Sequence, residues 1–80
     1  MKTKLKPGMI IRLSSGTYLY KILKIWKGYE AGISDRPVIW GQIHRIKSDG
    51  SIVKSDKPKN SILEYHYGGP PEINGEIVKK

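Results

Sequence analysis

Residues 38–54 of this chain read VIWGQIHRIKSDGSIVK, and this stretch decides the predicted fold. Isoleucine, valine and tryptophan suit a pleated, half-buried strand, and they stand on both sides of Asp49-Gly50. A type I′ turn needs positive φ at both central residues, which aspartate and glycine tolerate. The stretch therefore predicts a β-hairpin, with Ile46 opposite Val53 and both side chains facing the core.

The rest of the chain repeats this pattern of turn signals between segments rich in isoleucine, valine, tyrosine and tryptophan. Turn-forming residues cluster at 7–8, 14–16, 28–32, 35–37, 48–50, 56–60 and 68–71. We expect strands between them at 9–13, 18–26, 38–47, 51–54 and 61–67. The segment 18–26 also has helical spacing, but its β-branched and aromatic content favours a strand. Broken alternation at Ile22-Leu23 and Ile25-Trp26 indicates a bulge or burial on both faces.

Five short strands in 80 residues predict one all-β domain, a small five-stranded SH3-like or OB-like barrel with short turns, because closure removes sheet edges. The run from Lys6 to Leu13, a glycine turn, and then Tyr20-Lys21-Ile22-Leu23 resembles the first hairpin of many SH3-like barrels. We expect residues 1–7 to form a basic arm or a frayed terminus. Residues 68–80 form a tail led by glycine and proline, which could make a hairpin at Asn74-Gly75, pair with residues 1–5, or remain loose.

Composition excludes several classes of site. The chain has no cysteine, so it has neither a disulfide nor a thiolate metal site. Its two histidines are 22 positions apart (66 − 44) with no local cluster of ligands, so we expect no metal and no cofactor. No apolar run approaches the roughly 20 residues that cross a bilayer, and no signal-peptide pattern follows the first lysines. We therefore expect a cytoplasmic protein without a membrane partner.

Charge is distributed unevenly along the chain. Residues 1–29 contain seven basic residues and no acidic one, whereas residues 30–80 contain eight basic and seven acidic residues. Nearly all of the formal charge of +8 therefore belongs to the first third of the sequence. A one-sided positive field favours a polyanionic partner, with DNA or RNA as the first expectation and an acidic protein as the second.

The strongest candidate site is the segment in which cationic and aromatic residues alternate, on the first predicted hairpin. A cationic groove follows phosphates, and aromatic faces stack unpaired bases. We expect Lys21, Lys24 and Lys27 to contribute additively to binding without setting a sequence preference. The predicted nucleic-acid contacts are Lys4, Lys6, Arg12, Tyr18, Tyr20, Lys21, Lys24, Trp26, Lys27, Tyr29 and Arg36. A competing interpretation places Trp26 and Trp40 in the core, since the chain has no phenylalanine that could fill it. A second basic region, around Asp49, is expected to be a solvated face.

Two further patterns bear on catalysis. The segment Asp35-Arg36-Pro37-Val38-Ile39 is similar to the Arg-Pro-Val/Ala-Leu-Val segment of MazF/PemK-type endoribonuclease toxins. That resemblance implies an SH3-like barrel in which Arg36 takes part in RNA cleavage. The toxin spacing and the later catalytic Ser or Thr have no counterpart here, and a loop-to-strand boundary with Pro37 at the first strand position accounts equally for the segment.

His44, Glu64 and His66 would form an acid–base set if the fold brought them together. Alternation along the last predicted strand instead places Glu64 and His66 on one solvated face with Ile62. No phosphate loop, nucleophile elbow or carboxylate pair is present. The sequence thus predicts a non-enzymatic nucleic-acid-binding protein, with an accessory or inhibitor protein that binds an acidic partner as the alternative. The oligomeric state is left open.

Overall fold

The computed structural model describes residues 3–14, 16–30 and 32–80, and within them every regular element is a β-strand. Predictions that involve Lys2, Ser15 or Ala31 lie outside the described residues. The strands are β1 (Ile10–Leu13), β2 (Leu19–Glu30), β3 (Ile33–Ile46), β4 (Lys59–Tyr65), β5 (Glu72–Ile73) and β6 (Gly75–Lys79). The predicted all-β class is confirmed, and residues 19–26 form a strand rather than a helix.

All six strands belong to one antiparallel sheet in the order β5-β4-β3-β2-β1-β6. The sheet has six strands instead of the expected five, because the tail contributes β5 beside β4 and β6 beside β1 while the expected strand at 51–54 is not formed. This strand order does not by itself confirm a barrel. No helix in the described part of the chain has the length and apolar character needed to cross a bilayer.

The longest feature is the ribbon that β2 and β3 form; it shortens the predicted turn at 28–32 and replaces the one at 35–37. β2 continues through Gly28, and β3 begins at Ile33, so a turn at 35–37 is wrong. Pro37 lies in mid-strand, and its carbonyl accepts a hydrogen bond from the His66 amide at 3.0 Å. The N–H and C=O of one strand residue point to the same side, so the missing proline donor faces the side away from β2.

The loop around Asp49 departs from the predicted register by one residue. Ile46 bridges to Ile52 rather than Val53, and residues 51–54 do not form a strand. Gly50 has φ of 92° and its amide donates to the Lys47 carbonyl at 2.9 Å. The Asp49 carboxylate accepts from both the backbone and the hydroxyl of Ser51, which lowers the pKa of Asp49. The loop is therefore wider than a two-residue turn.

Two irregularities determine which side chains face the core. Residues opposite each other in an antiparallel pair share a face, so Ile22 and Ile43 define the core face. On β2 the register shifts between Ile22 and Lys24. On β4 it shifts between Ile62, the partner of Trp40, and Glu64, the partner of Ile39. The predicted bulge in β2 is therefore present at Leu23, and a second bulge at Leu63 was not expected.

The N-terminal segment is held by the core rather than frayed over its described residues. Leu5 is fully buried in the same cluster as Ile11, Ile22, Ile43 and Leu63. Burying one leucine side chain stabilises the fold by roughly 1.5–3 kcal/mol. The flanking lysines at positions 4 and 6 stay exposed, so the segment presents charge from an anchored position.

Candidate nucleic-acid interface

The outer face of the sheet, opposite to Ile22 and Ile43, carries two rows of side chains that cross β2, β3 and β4. The amide row, as we call it, consists of Lys24 opposite Gln42, which is opposite Asn60. The tryptophan row consists of Trp26 opposite Trp40, which is opposite Ile62. The rows are two residues apart along each strand, about 7 Å, and neighbouring strands lie about 4.8 Å apart.

Trp40 is fixed in place on this face by its surroundings. Its indole N–H donates to the Tyr29 carbonyl at 3.2 Å. The ring lies over Gly28, where an added Cβ would come within 2.7 Å of the indole Cδ1. Gly28 therefore leaves the space that the indole fills, and the tryptophan expected in the core is only half-buried.

Trp26 is 37% exposed, so its prediction as a core residue is wrong. The ammonium of Lys24 lies 5.8 Å from the ring centroid, within the range of a cation–π contact. Lys21, opposite His44, also points to the outer face and is exposed. A positive charge thus borders an accessible aromatic ring, the combination that binds both a phosphate and a base.

Arg12 shares the outer face, because the neighbouring Ile11 faces the core. Its guanidinium forms an ion pair with Glu76 at 2.5 Å, and both side chains are largely exposed. Such exposed pairs contribute about 0–1 kcal/mol. Arg12 therefore adds less net charge to this face than Lys21 or Lys24 does.

Tyr18 and Tyr20 lie at the beginning of β2 and carry cations of the protein on their rings. The Arg45 guanidinium carbon lies 3.7 Å from the Tyr18 centroid, and the Lys59 nitrogen lies 4.8 Å from the Tyr20 centroid. Tyr20 also faces the core, opposite Ile11. Each ring thus has a cation of the protein on one of its faces, as Trp26 has Lys24.

Lys27 and Tyr29 belong to the other face of β2. Lys27 is opposite Ile39, one residue away from the tryptophan row, and Tyr29 is 52% exposed. The structure therefore places Lys27 on the face opposite Lys24, although the sequence grouped them.

Arg36 lies near the end of the ribbon, 3.5 Å from the carboxylate of Glu30. Glu30 also accepts a hydrogen bond from the Tyr67 hydroxyl at 2.5 Å. Loss of solvent around the phenol, and then this bond, raise the pKa of Tyr67 to about 12. Arg36 is thus part of a group that joins the ribbon to the segment after β4.

Lys4 and Lys6 lie apart from the outer face, at a cleft of about 840 Å³. Lys80 also lines this cleft, whose other walls include Met9 and Ile77. The basic arm therefore presents its charge beside the C-terminal strand.

Glu64 is 2% exposed and lies within a small polar cluster. Its carboxylate accepts from the Thr3 hydroxyl at 2.9 Å and pairs with Nε2 of His66. The expected solvated face is wrong here, because the bulge at Leu63 moves Glu64 to the face opposite Ile62. His44 does not join the set: it lies on the outer face, 7% exposed, with Nδ1 2.9 Å from the Arg45 carbonyl.

Sequence reasoning missed three polar or aromatic members of the two rows. Alternation along β3 places Trp40 and Gln42 on one face of the strand and Ile39 and Ile43 on the other. This alternation can be read from the sequence. Asn60 was assigned to a turn, so its position in β4 was hidden.

Comparison with known proteins gives no match to a family model, to a curated protein or to a solved structure.

Proposed function

We propose that this chain is a nucleic-acid-binding protein without catalytic activity, and that it contacts its ligand through the outer face of β2, β3 and β4. The observation that carries the proposal is the position of Lys24 beside the exposed ring of Trp26, with Lys21 further along the same sheet face. Lysines neutralise phosphates, and the indole supplies a stacking surface. The positive charge of residues 1–29 supports the same ligand. A cytoplasmic location is part of the proposal.

We also infer that the sheet curves into a small barrel of the SH3-like or OB-like kind. β5 and β6 occupy the two edges of the sheet, yet only Asn74 separates them in the chain. Two residue steps span about 7 Å at most, so the edges must approach each other. Asn74 supports this closure, because it donates to the Leu63 and Ile62 carbonyls of β4 and pairs with Ser14 after β1.

A salt titration tests the proposed function. Binding of labelled single-stranded and double-stranded oligonucleotides is measured by anisotropy from about 50 to about 500 mM salt, one decade, so that a slope can be fitted. Each phosphate contact on a single strand contributes a slope of about −0.7 to log K against log salt. We expect the double variant Lys21→Ala/Lys24→Ala to lose between one and two units of slope. The matched control Lys54→Ala/Lys57→Ala removes equal charge from the exposed loop before β4.

A response to salt that is flat, or equal losses in the two double variants, would contradict the proposal. Because the chain is proposed to be non-catalytic, RNA incubated with it should remain intact. Cleavage that disappears in Arg36→Ala would favour the toxin-like alternative.

An acidic protein partner is the second candidate, and the open edge of β2 favours it. Within the described residues, Lys24 to Glu30 pair only with β3, so the other edge of this stretch has free backbone groups. Lys24 and Lys27 lie on opposite faces of that edge, where an extended acidic peptide adding a strand would meet both. Retention of one protein from a nuclease-treated lysate would favour this candidate, and loss of all partners would favour nucleic acid.

A further inference from the structure

The two rows of the outer face differ in chemistry in a way that bears on the kind of nucleic acid they fit. The tryptophan row ends in the exposed ring of Trp26 and continues through the fixed ring of Trp40. The amide row lies about 7 Å away, two residues along each strand. A flat apolar surface thus lies directly beside a line of hydrogen-bonding groups.

The amides of Gln42 and Asn60 are available to a ligand. Among the residues that the structure describes, neither side chain has a hydrogen-bond partner; Asn60 is exposed and Gln42 is half-buried, with no amide atom both buried and unpartnered. Each amide offers one acceptor and two donors, so it complements a base edge that pairs a donor with an acceptor. Adenine presents such an edge at N6 and N7, and Asn or Gln is its usual partner.

The cation of the amide row, Lys24, lies at its β2 end. Its ammonium is close to the face of Trp26, at 5.8 Å from the centroid. A base stacked on Trp26 would therefore have its own backbone phosphate within reach of Lys24. Across the sheet, a phosphate would then lie at Lys24 on β2, and base edges would lie over Gln42 on β3 and Asn60 on β4.

We propose that the outer face binds unpaired bases of a single strand, stacks one base on Trp26, and reads neighbouring base edges with Gln42 and Asn60, with adenine preferred. This inference rests on the proposed function. It differs from a general phosphate binder in two respects: paired bases expose no ring face for Trp26, and the amides impose a sequence preference.

The test uses single-stranded 10-mers of a pyrimidine background with adenines introduced at successive positions, and the matching duplexes. Wild type should prefer the adenine-containing single strand to both the background strand and the duplex. Trp26→Ala should weaken single-strand binding by about 5- to 150-fold, and Trp26→Phe should restore most of it. Gln42→Ala and Asn60→Ala should reduce the adenine preference while the slope of log K against log salt stays the same.

Lys24→Ala should do the reverse, lowering the salt slope by about one contact and keeping the adenine preference. Equal affinity for single and double strands, or a preference unchanged in Gln42→Ala and Asn60→Ala, would overturn the inference and leave the proposed function standing. Absence of binding at low salt would overturn both. Far-ultraviolet circular dichroism and a thermal melt of each variant confirm that the fold is retained.

Discussion

Gly75→Ala is the substitution that most directly tests the junction between β1 and β6. Gly75 has φ of 131°, a backbone conformation that residues with a side chain rarely adopt. An added Cβ would lie 1.9 Å from the Arg12 carbonyl oxygen and 2.9 Å from the Leu13 Cα. These are backbone atoms, so no rotation of a flexible side chain can relieve the overlap.

The expected cost follows from these two effects. Backbone strain at such a φ is worth roughly 1–3 kcal/mol. Overpacking against a fixed neighbour costs about 1–3 kcal/mol more, unless β6 withdraws and breaks the pair between Leu13 and Gly75. A domain of 80 residues has a free energy of unfolding of roughly 4–12 kcal/mol in total, so the substitution should remove a large part of it.

Urea denaturation followed by tryptophan fluorescence measures this loss as a shift of the midpoint. Gly69→Ala is the matched control, because it has no positive φ and a Cβ there meets nothing within 4 Å. We expect the control to lie within about 0.5 kcal/mol of wild type. A Gly75→Ala variant as stable as the control would mean that β6 does not pair with β1 in this register.

Three further predictions concern the described contacts. Thr3→Val removes the hydroxyl that donates to Glu64. We expect the free energy of unfolding, measured with urea, to fall by about 1–3 kcal/mol. A fall of less than about 0.5 kcal/mol would contradict the contact. Tyr67 should give a late component near pH 12 in a spectrophotometric titration, because its pKa is raised to about 12. The protonated phenol therefore stabilises the fold below pH 10, and this contribution is lost as pH rises toward 12. Tyr67→Phe should abolish that late component, and persistence of the component would assign it to another residue. Gly28→Ala should push the Trp40 indole from its position, shift its fluorescence and weaken binding. The lost indole hydrogen bond should lower the free energy of unfolding by about 1 kcal/mol. An unchanged emission spectrum would refute the close contact.

The strand content was predictable, because it depends on local composition. The isoleucine, tyrosine and tryptophan content of β2 and the alternation in β3 indicate strands without reference to the rest of the molecule. The turn predicted at 28–32 is confirmed only at its end, between Glu30 and Ile33, and the turn at 35–37 is wrong. Gly28 and Pro37 lie on a ribbon with a partner strand, and that pairing overrides the local preference.

The faces of the strands were less predictable, and the candidate site depends on them. A bulge moves every following residue to the opposite face, and its position is set by the packing of neighbouring strands. The bulge at Leu63 buries Glu64, and Gly41 leaves room for the Leu63 side chain, since a Cβ there would lie 2.2 Å from it. The sequence offered no local sign of either contact. The bulge at Leu23 places Lys21 and Lys24 on one face, whereas Lys24 and Lys27, grouped by charge, are separated by simple alternation, which the sequence did offer.

The single residue between β5 and β6 also determines when the molecule can become native during synthesis. β1 receives its second neighbour only from residues that are made much later, since Arg12 and Glu76 are 64 positions apart. Pairing over such a separation carries a large loop-closure entropy and slows folding. Until residues 72–79 have been synthesised, β1 and β4 each keep an open edge. The growing chain is therefore vulnerable to aggregation and to chaperone binding until β5 and β6 have been added.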